Sequence, residues 1–333
     1  MQKSNIYKFS LLLVIVLASC KPAPIPIGFP KSQSQYYTYL PLVFSSNQSI
    51  LGVNTYESTR RANPYLVPGG SVLYSISWSD TETVQGVYDW VKSDYQLELL
   101  DRQQHRLIIG VRNTPVWART IPTYQCSAPQ LQYYDKFHAF LLAIIERYSP
   151  DKIEIWNEPD VPTDIPIHLT SYLGCWGTDF ASGAAFGSFV EQVSEGIATP
   201  IMAGGFCLCH PGDFLAGYLL INPDIEYISF HGYAHYQQND WDAIFLQSDR
   251  ISRATDLQQF VTETSLLGDV VGEEQAEYLQ YIHKTAQDYP ISGLLWFTMN
   301  NSGWEYADMI KGGVERPVWY IYQEILAPFG WYN

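Results

Sequence analysis

Short apolar segments alternate with longer amphipathic segments from about residue 50 to the end of the chain. The short segments are rich in β-branched residues and are typical of buried strands. The predicted strands cover residues 50–55, 71–77, 106–112, 152–157, 200–204, 226–231, 258–263 and 293–298.

Helical patterns fall between the predicted strands, and the clearest cover residues 88–104, 130–148, 180–198, 272–288 and 317–326. Strands that are each followed by helix-length sequence predict an α/β fold, a (β/α)8 or TIM barrel that forms a single domain over residues 49–333. A doubly wound open sheet is the alternative. It would need a glycine-rich phosphate-binding turn after an early strand, and Gly69-Gly70 begins no such motif.

The first residues have the features of an export signal. Two lysines precede an apolar stretch at residues 9–18, which is too short to span a bilayer. The sequence Leu-Ala-Ser-Cys that ends at Cys20 resembles a bacterial lipobox, so we predict a signal peptide at 1–19 and a lipid on Cys20. An ordinary secretory signal is the alternative. Residues 20–48 are rich in Pro and Ser and predict a tether that links the domain to the cell envelope. In a bacterium with two membranes, we expect the anchor to lie in the outer membrane.

Composition excludes some functions. Of the 333 residues, 47% are hydrophobic and 16% are charged, so the chain has enough apolar side chains for a large core. The formal net charge of −15 makes nucleic acid an unsuitable partner, because phosphate groups would be repelled. Aromatic residues make up 15% of the chain, and most are expected in the core, although a high aromatic content is common where sugar rings are bound. We expect a monomer.

Four cysteines follow the export signal: Cys126, Cys175, Cys207 and Cys209. In an exported protein they are expected to form up to two disulfides. Cys207 and Cys209 lie too close in sequence for an unstrained mutual bond, so we predict that each pairs with one of the other two. The alternative is a metal site that includes His210, but export favours disulfides, and we predict no metal.

Two glutamates end predicted strands. Glu158 follows the apolar segment that begins at Lys152, and Glu263 ends the segment that begins at Gln258. In a (β/α)8 barrel both would lie at the carboxyl face, where active sites are built. Hydrolysis of a glycosidic bond needs two such acids, one to protonate the leaving oxygen and one to attack or stabilise the sugar cation.

Four motifs resemble glycoside hydrolase clan A, and they are Trp156-Asn157-Glu158-Pro159, His231-Gly232-Tyr233, Glu263-Thr264-Ser265 and Trp296. Residues 85–90 and 113–118 are similar to segments of the β-xylosidase branch, family 39, and family 5 endoglucanases are nearly as close. The resemblance implies a retaining β-glycosidase without a cofactor, with a carbohydrate substrate, Glu158 as acid/base and Glu263 as nucleophile.

The residues beside Glu158 carry further expectations. Pro159 is expected to hold Glu158 in extended backbone. Asn157 is a candidate to bind the sugar 2-hydroxyl. Strict alternation would send Asn157 and Glu158 to opposite faces, so both meet substrate only if the strand ends in a bulge or a strong twist.

Other side chains are predicted around Glu263. Tyr233 is the predicted hydrogen-bond donor to its carboxylate, and His231 shares a strand face with Tyr233. The structural alternatives are a buried ion pair between Glu263 and Arg112 and a core role for His231. The spacing of His231 and His235 suits a metal only on a helix, so no metal is assigned there.

Aromatic residues after strands are candidates for stacking on sugars. Trp296 is predicted to form the floor of a sugar subsite, and in the resembled clan this residue carries a cis peptide. Trp117 and Trp304 are candidates for further subsites. The alternative function is a non-catalytic surface barrel that captures carbohydrate, whereas an esterase is disfavoured because the chain has no Gly-x-Ser-x-Gly motif.

Overall fold

A closed barrel of eight parallel strands organises the chain. The computed structural model describes residues 50–56, 58–166, 169, 173–210, 212–268, 272–300 and 307–329. The barrel strands are β1 (Leu51–Tyr56), β2 (Ser71–Ser77), β3 (Arg106–Arg112), β4 (Lys152–Ile155), β5 (Ile201–Phe206), β6 (Tyr227–His231), β7 (Gln258–Thr264) and β8 (Ile291–Phe297). Each strand pairs with the next along the chain and β8 pairs with β1, which confirms the predicted barrel.

Helices cover the outside of the barrel. They are α1 (Val91–Leu97), α2 (Tyr134–Tyr148), α3 (Phe180–Ser194), α4 (Phe214–Ile221), α5 (Ala243–Ser252), α6 (Glu273–Thr285) and α7 (Pro317–Leu326), with four-residue helices at Thr59–Ala62 and Trp78–Thr81. Short 3₁₀ turns occupy Asn63–Tyr65, Leu131–Tyr133, Tyr236–Gln238, Ala286–Asp288 and Ala327–Phe329. In the described part of the chain no helix is both long enough and apolar enough to cross a membrane.

Helix α4 escaped prediction because it is apolar almost all round and therefore lacks a helical period. It packs closely on α3 through two glycines. A Cβ at Gly183 would lie 1.9 Å from the Phe214 carbonyl oxygen, and one at Gly217 would lie 2.0 Å from that of Phe180. The helices therefore approach at backbone distance, which only glycine permits.

Alternation along the strands creates two cores. One face packs against the helices, and the other fills the barrel interior, where Leu73, Ile108, Met202, Phe260 and Leu295 form a small cluster. Gly293 makes room for this cluster, since a Cβ there would lie 1.9 Å from the Phe260 ring. The inner cluster closes the barrel below the loops at the carboxyl ends of the strands.

The disulfides differ from the predicted pairing. Cys126 bonds to Cys175 and Cys207 bonds to Cys209, so the sequence prediction that each of the last two pairs with one of the first two is wrong. The chain reverses at Leu208, whose φ of 53° is left-handed, and this brings the Cα atoms of Cys207 and Cys209 to 5.1 Å. The carboxylate of Asp160 holds the turn by accepting hydrogen bonds from the amides of Cys207 and Leu208, at 2.9 and 2.7 Å.

The predicted export segment lies outside the described residues. This applies to the signal at 1–19, to Cys20 and to the tether at 20–48. These remain predictions from sequence.

Candidate active site

Glu158 and Glu263 meet at the carboxyl face of the barrel, with side chains that are 5% and 11% accessible. The Nδ1 atom of His231 lies 2.9 Å from Oε1 of Glu158 and 3.6 Å from Oε2 of Glu263. These two oxygens are therefore at most about 6.5 Å apart, below or at the range found in inverting glycosidases. The arrangement brings together two acids that are 105 residues apart in sequence.

The backbone around Glu158 turns sharply after β4 ends at Ile155. Trp156 and Glu158 have φ values of 76° and 48°, both in the left-handed region. The expectation that Pro159 holds Glu158 in extended backbone is therefore wrong. The two left-handed residues interrupt the alternation of side chains along the strand. Asn157 and Glu158 are therefore not forced onto opposite faces of the barrel wall.

The loop after β4 folds back onto the backbone of Glu158. A Cβ at Gly174 would lie 2.4 Å from the carbonyl oxygen of Glu158 and 2.5 Å from that of Asn157, so this contact requires glycine. The amide of Trp176 donates to the carbonyl of Pro159 at 3.1 Å. Cys175 lies between these contacts, and its disulfide to the loop after β3 braces the segment that carries Glu158.

Glu263 receives hydrogen bonds from two sides. The Tyr233 hydroxyl donates to Oε2 at 2.5 Å, as the sequence predicts. The side-chain amide of Asn54, in β1, donates to Oε1 at 3.3 Å and to the carbonyl of Thr262 at 3.1 Å. Sequence reasoning missed Asn54, although a polar residue inside an otherwise apolar strand was a usable signal.

Burial and neighbouring charges shift the pKa values of His231 and Glu263. Burial alone would lower the pKa of His231, but the carboxylates of Glu263, Glu158 and Glu154 outweigh it and raise this pKa to about 9. The three carboxylates therefore favour the cationic form of His231. Burial raises the pKa of Glu263, while the charge of His231 opposes that increase and favours the carboxylate.

Aromatic rings and an arginine border the acids. Phe297, at the end of β8, meets Tyr56 and Tyr233 edge to face at centroid distances of 6.5 and 6.4 Å. The Arg112 guanidinium lies 4.0 Å from the centre of the Tyr56 ring, and its charge opposes the increase that burial causes in the pKa of Glu263. Arg112 thus contributes a positive charge to the site, and Tyr233 and Asn54 bind the carboxylate.

The prediction that Trp296 forms a sugar floor is wrong. Its side chain is fully buried, its indole NH donates to the Ala307 carbonyl at 2.9 Å, and its ring packs against Tyr278 of α6. Alternation sends Trp296 outward toward the helices and Phe297 inward toward the site. The cis peptide also follows Phe297 rather than Trp296.

The other predicted aromatic sites have different outcomes. Trp117 is half-buried in the loop after β3, where it packs on Trp78 and Tyr133 and donates to the Glu82 carbonyl at 3.0 Å. Trp304 lies outside the described residues. A stacking role stays a prediction for both residues.

No cluster of three or more His, Cys, Asp or Glu side chains suitable for a metal occurs among the residues that the structure describes. His235 instead approaches Asp240, with 3.4 Å between Nδ1 and Oδ2.

The fold and the site together define a (β/α)8 barrel with two glutamates at its carboxyl face, and this fold occurs in known glycosidases. An exo-β-1,4-mannosidase from Opitutaceae bacterium strain TAV5 matches with a TM-score of 0.60 at 12% identity, over 84% of this chain and 59% of that one. This chain therefore spans less than two thirds of the mannosidase.

Two further solved structures match over most of their length. A glucosidase from Croceicoccus marinus gives a TM-score of 0.59 at 12% identity, over 84% of this chain and 67% of that one. ZgEngAGH5_4, solved in complex with a cellotriose, gives 0.59 at 13% identity, over 83% and 95%. No family model and no curated protein matches the sequence, so these likenesses establish the fold.

Proposed function

We propose that the protein is a retaining β-glycoside hydrolase that acts on oligo- or polysaccharide by double displacement. The observation that carries the proposal is the convergence of Glu158 and Glu263 on one nitrogen of His231. A capture protein needs aromatic surfaces for sugars but has no need for two converging acids. The geometry therefore favours catalysis over binding alone.

In the first step of the proposed reaction, a carboxylate oxygen of Glu263 attacks the anomeric carbon. The bond from that carbon to the glycosidic oxygen breaks, and Glu158 gives its proton to the departing oxygen. A covalent glycosyl ester on Glu263 and an ionised Glu158 result. In the second step, Glu158 removes a proton from water, which attacks the anomeric carbon and releases Glu263.

The surrounding side chains suit these roles. Tyr233 and Asn54 donate to Glu263 and hold it at a defined angle. The His231 cation favours the ionised form of Glu263 that attack requires. The upper limit of about 6.5 Å on the separation of the two oxygens lies at the short end of the range for inverting enzymes, so it favours direct attack by Glu263 over a water placed between base and sugar.

The names of the structural neighbours support a carbohydrate substrate. They are a mannosidase, a glucosidase and a protein crystallised with a cellotriose. By analogy of fold, the open carboxyl face of this barrel is the place where a sugar chain would bind.

A substrate panel tests this function. The protein is incubated with nitrophenyl glycosides and with plant and microbial polysaccharides, and released nitrophenol and reducing ends are measured. We expect release from at least one β-linked substrate. Tight binding of a sugar, measured by calorimetry, with no release from any substrate would support the capture function instead.

We further propose that the protein is exported and held at the cell envelope by a lipid on Cys20, with residues 20–48 as its tether. The lipobox-like sequence supports this location. Cells that express the full chain and are fed an alkyne fatty acid should label the protein, and Cys20→Ala should remove the label. An unlabelled wild-type protein in the culture medium would contradict the anchor.

A further inference from the structure

A third buried carboxylate lies below the two proposed catalytic acids. Glu154, in the middle of β4, is 3% exposed, and the Cβ of a residue at position 110 would lie 3.6 Å from its Oε2 atom. Its side chain therefore points into the barrel interior rather than toward the helices. A charge in the middle of a buried strand is costly unless another group compensates it. The proposed reaction gives Glu154 no role.

Glu154 faces the edge of His231 that points away from the catalytic acids. Gly205 lies next to both groups. A Cβ at this position would lie 2.9 Å from Nε2 of His231 and 3.2 Å from Oε1 of Glu154. Residue 205 is a glycine, so no side chain separates the two atoms. Within the described residues neither atom has a hydrogen-bond partner. These distances place Nε2 of His231 and Oε1 of Glu154 at most about 6 Å apart, close enough for their charges to interact across Gly205 and for one ordered water to bridge them.

The charges around Glu154 agree with this geometry. Burial raises the pKa of Glu154 to about 7, His231 and the hydroxyls of Ser229 and Thr262 oppose the increase, and Glu263 adds to it. In return, Glu154 contributes to the raised pKa of His231. The titratable groups that face this pair are Glu158 from the end of β4 and Glu263 from β7.

We propose that Glu154 is a positioning residue for the glycosidase reaction: it holds the Nε2 edge of His231, so that the Nδ1 edge remains directed at Glu158 and Glu263. The inference rests on the proposed function. Both nitrogens of a protonated imidazole are donors, so one His231 ring presents one N–H to the catalytic acids and the other toward Glu154. Glu154 thereby fixes the ring from below, across the space that Gly205 leaves open, as a supporting carboxylate fixes a metal-bound histidine.

The test is Glu154→Gln, which keeps the shape of the side chain and removes its charge. Without this charge the His231 cation is less stable, so its pKa falls and the cation is lost at lower pH. We expect kcat to fall about tenfold or more, with KM little changed. The midpoint of the His231 titration should move down by about one pH unit.

A matched control is Glu82→Gln. Glu82 is also buried, but it follows β2 and accepts hydrogen bonds from the Trp78 indole and the Gly86 amide rather than facing His231. This variant carries the stability cost of neutralising a buried carboxylate. It should leave the pH profile and the titration of His231 unchanged.

A measurement that needs no substrate separates this inference from the proposed function. The ring of His231 is titrated by NMR in protein labelled with ¹⁵N-histidine, with its signals assigned by their loss in His231→Asn. A lower pKa in Glu154→Gln supports the inference even if no glycosidase activity is found. An unchanged titration of His231 in a folded Glu154→Gln protein overturns it.

A second variant covers the case in which Glu154→Gln does not fold. Gly205→Ala keeps both charges and places a methyl group between Nε2 of His231 and Oε1 of Glu154. We expect the same downward shift of the His231 pKa. Wild-type titration of His231 in Gly205→Ala would show that the two groups do not interact across this point.

Discussion

Glu263→Ala is expected to abolish turnover of an aryl β-glycoside, with kcat reduced on the order of 10⁴-fold or more. The variant has no oxygen to form the glycosyl ester, and the hydrogen bonds from Tyr233 and Asn54 lose their acceptor. The missing side chain leaves space for a small anion. Azide should therefore restore activity and give a glycosyl azide of inverted configuration, identified by mass spectrometry and NMR.

The control for this variant is Glu324→Ala, which removes an exposed glutamate from α7 and should leave kcat unchanged. Circular dichroism and thermal melting show whether the Glu263→Ala protein is folded. Activity close to wild type in a folded Glu263→Ala protein would refute the assignment of the nucleophile.

Glu158→Ala is expected to have an effect that depends on the leaving group. A general acid contributes about 10²- to 10⁴-fold, and its contribution is largest when the departing oxygen is basic. Hydrolysis of an alkyl glycoside or an oligosaccharide should fall by that factor. Formation of the ester from a dinitrophenyl glycoside should fall much less, because dinitrophenolate leaves without a proton.

The Glu158→Ala reaction with azide gives a second diagnostic. The ester on Glu263 remains able to form, so azide attacks from the face that water normally uses and gives a glycosyl azide of retained configuration. The two variants should therefore give azides of opposite configuration. An equal loss of rate for good and poor leaving groups in Glu158→Ala would contradict the role of general acid.

The strands and the two acids were open to prediction because both depend on local patterns. Burial on both faces gives parallel strands continuous apolar runs, so β2 and β3 have the predicted bounds. Glu158 and Glu263 follow such runs, and a parallel barrel brings the carboxyl ends of its strands to one face.

Local sequence patterns do not predict which side chains of a strand point inward, nor features that depend on close backbone contacts. An apolar run conceals which of Trp296 and Phe297 points inward, and only the register of β8 shows that it is Phe297. The disulfide between Cys207 and Cys209 depends on a left-handed residue and on the distant carboxylate of Asp160.

The roles of two glycines and of Glu154 also follow only from the three-dimensional structure. Gly174 and Gly205 matter because other atoms of the fold lie where their Cβ atoms would be, and no spacing in the sequence predicts such contacts. Glu154 appeared in the sequence only as a charged residue within an apolar run, and its relation to His231 follows from the barrel geometry.

The stereochemistry of hydrolysis tests the central claim most directly. A β-glycoside identified in the substrate panel is hydrolysed in an NMR tube, and the anomeric proton of the first product is followed before mutarotation. Two displacements through Glu263 predict that the β-anomer appears first. First appearance of the α-anomer would mean direct attack by water, and would contradict the covalent intermediate and the roles given to both glutamates.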